Sequence, residues 1–237
     1  MITDRDILEA TAYVDGVNIY DVGALVQSFT VSGTAISNSA YQGVNSTSFN
    51  VLATTRGMRV ISLTLGYKGT TRRELALKKA NLDAMLGAGK IELHLPDGFF
   101  YTAYLTAVGE EDVQGVNGNK VIALCTYTLQ GIRHDKLKDL TVTSGATFLC
   151  DSLIPTTDCR LSCKASQPYA SLTIGSVTIT SVAQNDTIVI DGINKRILQN
   201  GAPCAGNMSF INFPQLVPGE NTISCPETLL VEYYPTY

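Results

Sequence analysis

Only one stretch of this chain, residues 72–86, carries the pattern of a helix. Around it, apolar residues alternate with polar ones or gather in short runs. Thr71-x-x-Glu74 forms a capping box, and Gly87 and Gly89 supply the stop. With a single helix in 237 residues, the cores must be built from sheets, so the fold class reads as mainly β. The helix has two apolar stripes. Leu75, Leu82 and Leu86 form one; Leu77, Ala80 and Ala84 form another on nearly the opposite side. Glu74, Lys78 and Asn81 separate them on one flank, with Lys79 and Asp83 on the other. A surface helix buries one stripe. The second makes Leu77, Ala80 and Ala84 a candidate subunit interface, or reflects only that alanine is a good helix former.

Strands are expected on both sides of the helix. Tyr13–Ile19 is a tight hairpin through Asp15-Gly16, and Leu25–Val31 and Ser46–Leu52 have high β propensity. In Met58–Tyr67, Ile61, Leu63, Leu65 and Tyr67 face one way. Ile91, Leu93 and Leu95 alternate, and Pro96-Asp97-Gly98 turns the chain into Phe99–Ala107. Val121–Leu129 follows a turn at Gly115–Asn119. The charged stretch Gly131–Leu140 reads as the boundary, giving an N-terminal domain 1–133, a linker 134–140 and a C-terminal domain 141–237. The C-terminal candidates are Thr143–Cys150, Arg160–Ala165, Ala170–Ile174, Val177–Val182, Thr187–Ile190, Lys195–Gln199, Met208–Phe213, Asn221–Cys225 and Leu229–Tyr234. Asp191-Gly192 is a two-residue hairpin signal, and Pro218-Gly219 a tight turn. Short, closely spaced strands predict a β-sandwich of jelly-roll type.

Chemistry-bearing patterns are sparse. There is no G-x-S-x-G elbow, H-E-x-x-H or P-loop, so no catalytic or cofactor-binding residue is assigned. His94 is expected to face solvent from its strand, and His134 to sit in a flexible segment without a fixed partner. Glu110-Glu111-Asp112 reads as a solvated acidic turn. Five of the six cysteines follow residue 149. They read as buried reduced thiols, with a late disulfide or half a zinc site at Cys159-x3-Cys163 as the alternatives. Net charge is −4, which argues against tight nucleic-acid binding; Arg72, Arg73, Lys78 and Lys79 read as a solvated helix face. No apolar run reaches the ~18 residues of a membrane span, and the acidic N-terminus lacks a signal peptide's apolar region, so a cytoplasmic origin is expected. Charged residues make up 16%, against ~25% in typical chains. Interface cores are depleted of charge in this way, although a Ser/Thr/Asn-rich β protein would be too.

The last part of the chain carries a resemblance. Phe213-Pro-Gln-Leu-Val-Pro-Gly-Glu-Asn-Thr-Ile-Ser-Cys225, followed by Leu229-Leu-Val-Glu-Tyr-Tyr-Pro235, is similar to the C-terminal domain of siphophage distal tail proteins. There an apolar-Pro-x-Leu-x-Pro-Gly-x-Asn-x-Ile segment precedes a last strand ending in aromatics. The Val14-Asp15-Gly16-Val17-Asn18 hairpin and the order of strands, capped helix, strands and all-β domain also resemble the family. The resemblance implies an N-terminal β-barrel-like domain with one helix and a β-hairpin, then a galectin-like jelly roll. It implies a non-enzymatic virion protein, assembled in the host cytoplasm, that forms a homo-hexameric ring at the tip of a long non-contractile tail. Its partners would be the major tail tube protein, the tail-tip hub or tail-associated protein, and in some cases a receptor-binding protein. The cysteine-rich C-terminal domain departs from the family. The alternative is a non-catalytic carbohydrate-binding β-sandwich module for host-surface adhesion, with Tyr233, Tyr234 and Tyr237 as candidate stacking rings.

Overall fold

The computed structural model describes residues 11–42, 44, 47–117, 120–204 and 206–237. The chain divides into two compact units, the first ending at Arg133 and the second beginning at His134. Both are mainly β, and Arg72–Leu86 is the one helix among the described residues.

The first unit is built on an eight-stranded sheet. Its order is Val17–Asn18, Tyr13–Val14, Ile91–His94, Phe100–Val108, Lys120–His134, Arg59–Gly69 and Ala24–Val31, with Asp112–Asn117 pairing onto Lys120–His134. Alternation sets which face is buried. Ile61, Leu63, Leu65 and Tyr67 lie opposite Leu129, Tyr127, Cys125 and Ala123, and all eight are buried. Leu75, Leu82 and Leu86 of the helix join the same core. In the Tyr13–Asn18 hairpin, Asp15 and Gly16 both take positive φ, 49° and 78°, as a tight primed turn requires. The strand expected over Ser46–Leu52 runs Phe49–Arg56; Ser46 lies outside the described residues. Gly115 belongs to a strand rather than to the expected turn, while Gly118 and Asn119 lie outside the described residues.

The second unit has a seven-stranded sheet ordered Lys138–Val142, Leu229–Tyr233, Thr157–Lys164, Thr187–Asp191, Arg196–Gln199 and Ala202–Pro203, with Gln215–Leu216 pairing onto Thr157–Lys164. A three-stranded sheet (Tyr169–Ile174, Val177–Val182, Met208–Phe210) and a pair (Thr147–Cys150, Gly219–Thr222) complete it. Leu161, Ile188, Ile190 and Val231 from the large sheet and Leu172, Ile174 and Ile179 from the smaller one form one buried cluster. Lys138–Val142 pairs along its length with Leu229–Tyr233, so the end of the 134–140 stretch is already sheet. Thr143–Ala146 is a turn closed by the Ala146 amide on Thr143 O, 3.0 Å, and only Thr147–Cys150 of the expected strand forms.

Asp191-Gly192 is not the hairpin turn. Asp191 is the last strand residue, opposite Arg196, and the loop is Gly192–Lys195. Asp191 holds that loop, accepting from the Asn194 amide (2.9 Å), Asn194 Nδ2 (2.8 Å) and Arg196 Nε (3.1 Å). Burial alone would raise this fully enclosed carboxyl; the Asn194 and Arg196 bonds outweigh it and hold its pKa low. Asp139, Glu232, Arg160, Asp191 and Arg196 stand in register across five strands, with Arg160 Nε 2.7 Å from Glu232 Oε2. At the other turn, Pro218-Gly219 sits as expected, with Gly219 at φ 85°. Asn221 closes it, accepting from the Val217 amide at 2.9 Å and donating to Val217 O at 2.7 Å. The strand that follows is Gly219–Thr222 and stops short of Cys225.

Candidate assembly surface

The helix is fixed at both ends before it meets the core. Thr71 accepts from the Glu74 amide at 3.1 Å, and the Glu74 carboxylate reaches back to the amide and hydroxyl of Thr70, 2.8 and 2.9 Å. Those bonds depart from a strict capping box by one residue. The Thr70 amide, the Lys78 ammonium and the Thr70 hydroxyl together lower the Glu74 pKa to about 2. The Gly87 amide closes the far end on Asp83 O, 2.9 Å. At 3.6 residues per turn, Leu75, Leu82 and Leu86 point one way, and all three are buried. Leu77, Ala80 and Ala84 point nearly the opposite way and are exposed, Leu77 at 58%. The flanks between the stripes are neutralised: Lys78 pairs with Glu74 at 3.0 Å and Lys79 with Asp83 at 2.7 Å. Asp83 also accepts from the Tyr127 hydroxyl at 2.9 Å, which ties the helix to the sheet. Lys78 and Lys79 are therefore compensated, while Arg72 and Arg73 stand exposed in the first turn of the helix.

A second surface escaped the sequence reading. Ile36–Gln42 and Phe49–Arg56 pair as a two-stranded ribbon that is not hydrogen-bonded to either large sheet. Every residue of Ile36–Gln42 is exposed. Ile36, Tyr41, Val51 and Leu52 are at 61%, 61%, 51% and 67%. A lone two-stranded ribbon is marginal in water and gains stability when a further surface covers it. The apolar stripe and the ribbon are two exposed apolar features of the first unit.

No protein-family model and no curated protein matches the sequence. Solved structures do match in fold. The Dit protein (gp 19.1) of phage SPP1, described as a paradigm of the hub adsorption apparatus in phages infecting Gram-positive bacteria, superposes with a TM-score of 0.72 at 12% identity, over 96% of this chain and 98% of that one. A chain of the phage P2 baseplate in its activated conformation with Ca gives 0.59 at 8% identity, over 96% and 98%. The same baseplate with Sr gives 0.57 at 10%, over 94% and 97%. The fold is that of a phage distal tail protein.

Within the distal-tail fold, the remaining candidate residues take structural places. His94 is half-buried rather than open to solvent: its ring stacks on Phe100 at 4.3 Å and lies 5.8 Å from Tyr13, in a row across three strands. His134 is buried, paired with Thr236 and edge-on to Tyr234 at 4.7 Å, not loose in a linker. Glu111 is anchored, accepting from the Tyr67 hydroxyl at 2.7 Å, and Asp112 opens a strand. Burial and that bond raise the Tyr67 pKa. Tyr233 is wholly buried and cannot stack on a sugar; Tyr234 and Tyr237 are half-buried. Cys159 and Cys163 lie four residues apart on one extended strand, about 13 Å of chain, whereas thiolates on one zinc ion sit about 2.3 Å from it. The strand therefore separates the two rather than joining them in a metal site. Cys159 instead donates to Pro214 O at 3.5 Å, and burial pushes its pKa up to about 12. Among the described residues, no group of three or more His, Cys, Asp or Glu is placed to hold a metal ion. No described helix is long and apolar enough to cross a membrane.

Proposed function

We propose that this chain is a structural subunit of a long non-contractile phage tail, carried by a phage or a prophage. It forms a ring of six at the tail tip through the first unit and joins the tail tube to the tip hub and receptor-binding machinery. The observation that carries this reading is the fold match to SPP1 Dit along nearly the whole of both chains. The second unit reads as the galectin-like jelly roll of that architecture. The Leu77, Ala80, Ala84 stripe and the Ile36–Arg56 ribbon supply exposed apolar area for neighbours. A closed ring satisfies such head-to-tail contacts without leaving open ends. Catalysis has no part in this role, and the weakly acidic balance suits a channel past which DNA slides without sticking. Light scattering over a range of concentrations tests the ring. The expected mass is six times the 25.4 kDa chain. A mass of one chain at the highest concentration would count against it.

The two units are proposed to fold independently, as 1–133 and 141–237. Asp135, Lys136 and Leu137 lie exposed between the strands Lys120–His134 and Lys138–Val142. Brief trypsin treatment should cut beside Lys136 and leave two resistant fragments readable by mass spectrometry. A single resistant core spanning these residues would show that the units depend on each other.

A further inference from the structure

We propose that Cys163 and Cys225 form an oxidisable dithiol, a site where a peroxide closes a disulfide between strand Thr157–Lys164 and the turn before the final strand. Both thiols are free and buried. Ser162 pairs with Leu230, so the chain passing Cys163 runs beside the chain approaching Leu229. The turn is clamped there. The Glu227 carboxylate accepts from the Ser166 amide, the Ser166 hydroxyl and the Tyr169 hydroxyl, each at 2.7 Å. The Glu227 amide donates to Cys225 Sγ at 3.4 Å, and the Cys163 thiol donates to the same sulfur. Cys125, Cys159 and Cys204 instead donate to oxygen atoms, of Gly109, Pro214 and Gln199.

The arrangement gives the two sulfurs different roles. Donation from Cys163 and from the Glu227 amide lowers the Cys225 pKa against the opposing effect of burial, and the Cys163 pKa rises. Cys225 is the nucleophile. Its thiolate attacks one oxygen of hydrogen peroxide, the O–O bond breaks, and the departing hydroxide takes up a proton as water. The Cys163 sulfur then attacks the Cys225 sulfenic sulfur; the S–S bond forms, the S–O bond breaks, and a second water leaves. Two thiols are oxidised and one peroxide is reduced to two waters. Residues 225–228 lie outside any strand, so parting the Glu227 bonds exposes Cys225 without breaking the sheet.

The test uses the full chain. It is treated with a modest excess of hydrogen peroxide, quenched with catalase, denatured and alkylated. The expected result is a loss of about 2 Da before alkylation. It comes with two fewer alkylated cysteines than the six of the reduced chain, and a Cys163 peptide joined to a Cys225 peptide in a non-reducing digest. Closing a loop of about 60 residues should also raise the melting temperature by about 10 °C, reversed by a reductant. Cys159→Ser should keep the bridge and Cys225→Ser should lose it. Oxygen addition without a bridge, a bridge to another cysteine, or an unchanged mass would each overturn the proposal.

Discussion

Replacing Leu82 with Glu should unfold the first unit, while replacing Leu77 with Glu should leave it folded and unable to assemble. Leu82 is fully enclosed and Leu75 nearly so, against Leu63, Leu65 and Tyr127 in one cluster. An unpaired carboxylate in such a core costs several kcal/mol, comparable with the ~5–15 kcal/mol that holds a domain together. Leu75→Glu should behave alike. Leu77 and Ala84 stand on the exposed stripe, where a charge changes stability by no more than about 0.5 kcal/mol. Across an interface the same charge would be buried without a partner, and assembly should fail. Circular dichroism reads the fold and sedimentation reads the assembly. If Leu77→Glu and Ala84→Glu also unfold, the helix is not two-sided; if they assemble like the parent, the stripe is not the interface.

The second large effect should come from Gly192→Ala. A Cβ at Gly192 would stand 2.6 Å from Cys159 O and 2.9 Å from Pro214 O, both backbone atoms with no freedom to swing away. The Gly192 amide donates to that same Cys159 carbonyl at 2.9 Å, so moving the loop outward also breaks a bond. The expected loss is about 2–4 kcal/mol, with the second unit melting ~10 °C or more lower by calorimetry. Gly201→Ala is the control: its Cβ would meet nothing within 4 Å, and φ of 81° makes it strained but not blocked. A loss near 1 kcal/mol is expected there. Equal losses at both sites would show that the carbonyl contacts at Gly192 do not matter.

The parts legible from sequence are those whose signal is local. The helix ends where its cap and glycines place it, because Thr71, Glu74 and Gly87 bond to their own neighbours. Arg59–Gly69 was readable because one of its faces is buried and the other is not. Ile36–Gln42 was not, since both of its faces are exposed and nothing selects polar from apolar along it. Asp191-Gly192 misled for the opposite reason: a long-range approach of Cys159 and Pro214, not a turn, requires the glycine. For the candidate surface, Leu77, Ala80 and Ala84 could be named from helical spacing alone. The ribbon in the same unit could not, and neither could the meeting of Cys163 with Cys225, which depends on distant strands pairing.

The charged row across the second unit's sheet bears on how that sheet is proofread as it forms. Leu229–Tyr233 must find Thr157–Lys164 from far along the chain, the kind of encounter that folds slowly and tolerates wrong alignments on the way. Slipping the pair by a single residue turns Arg160 into the core and Leu161 out to water, and parts Arg160 from Glu232. The inner and outer faces therefore reject the same error independently. A misaligned sheet is penalised on both sides at once, which lets the strands separate and try again.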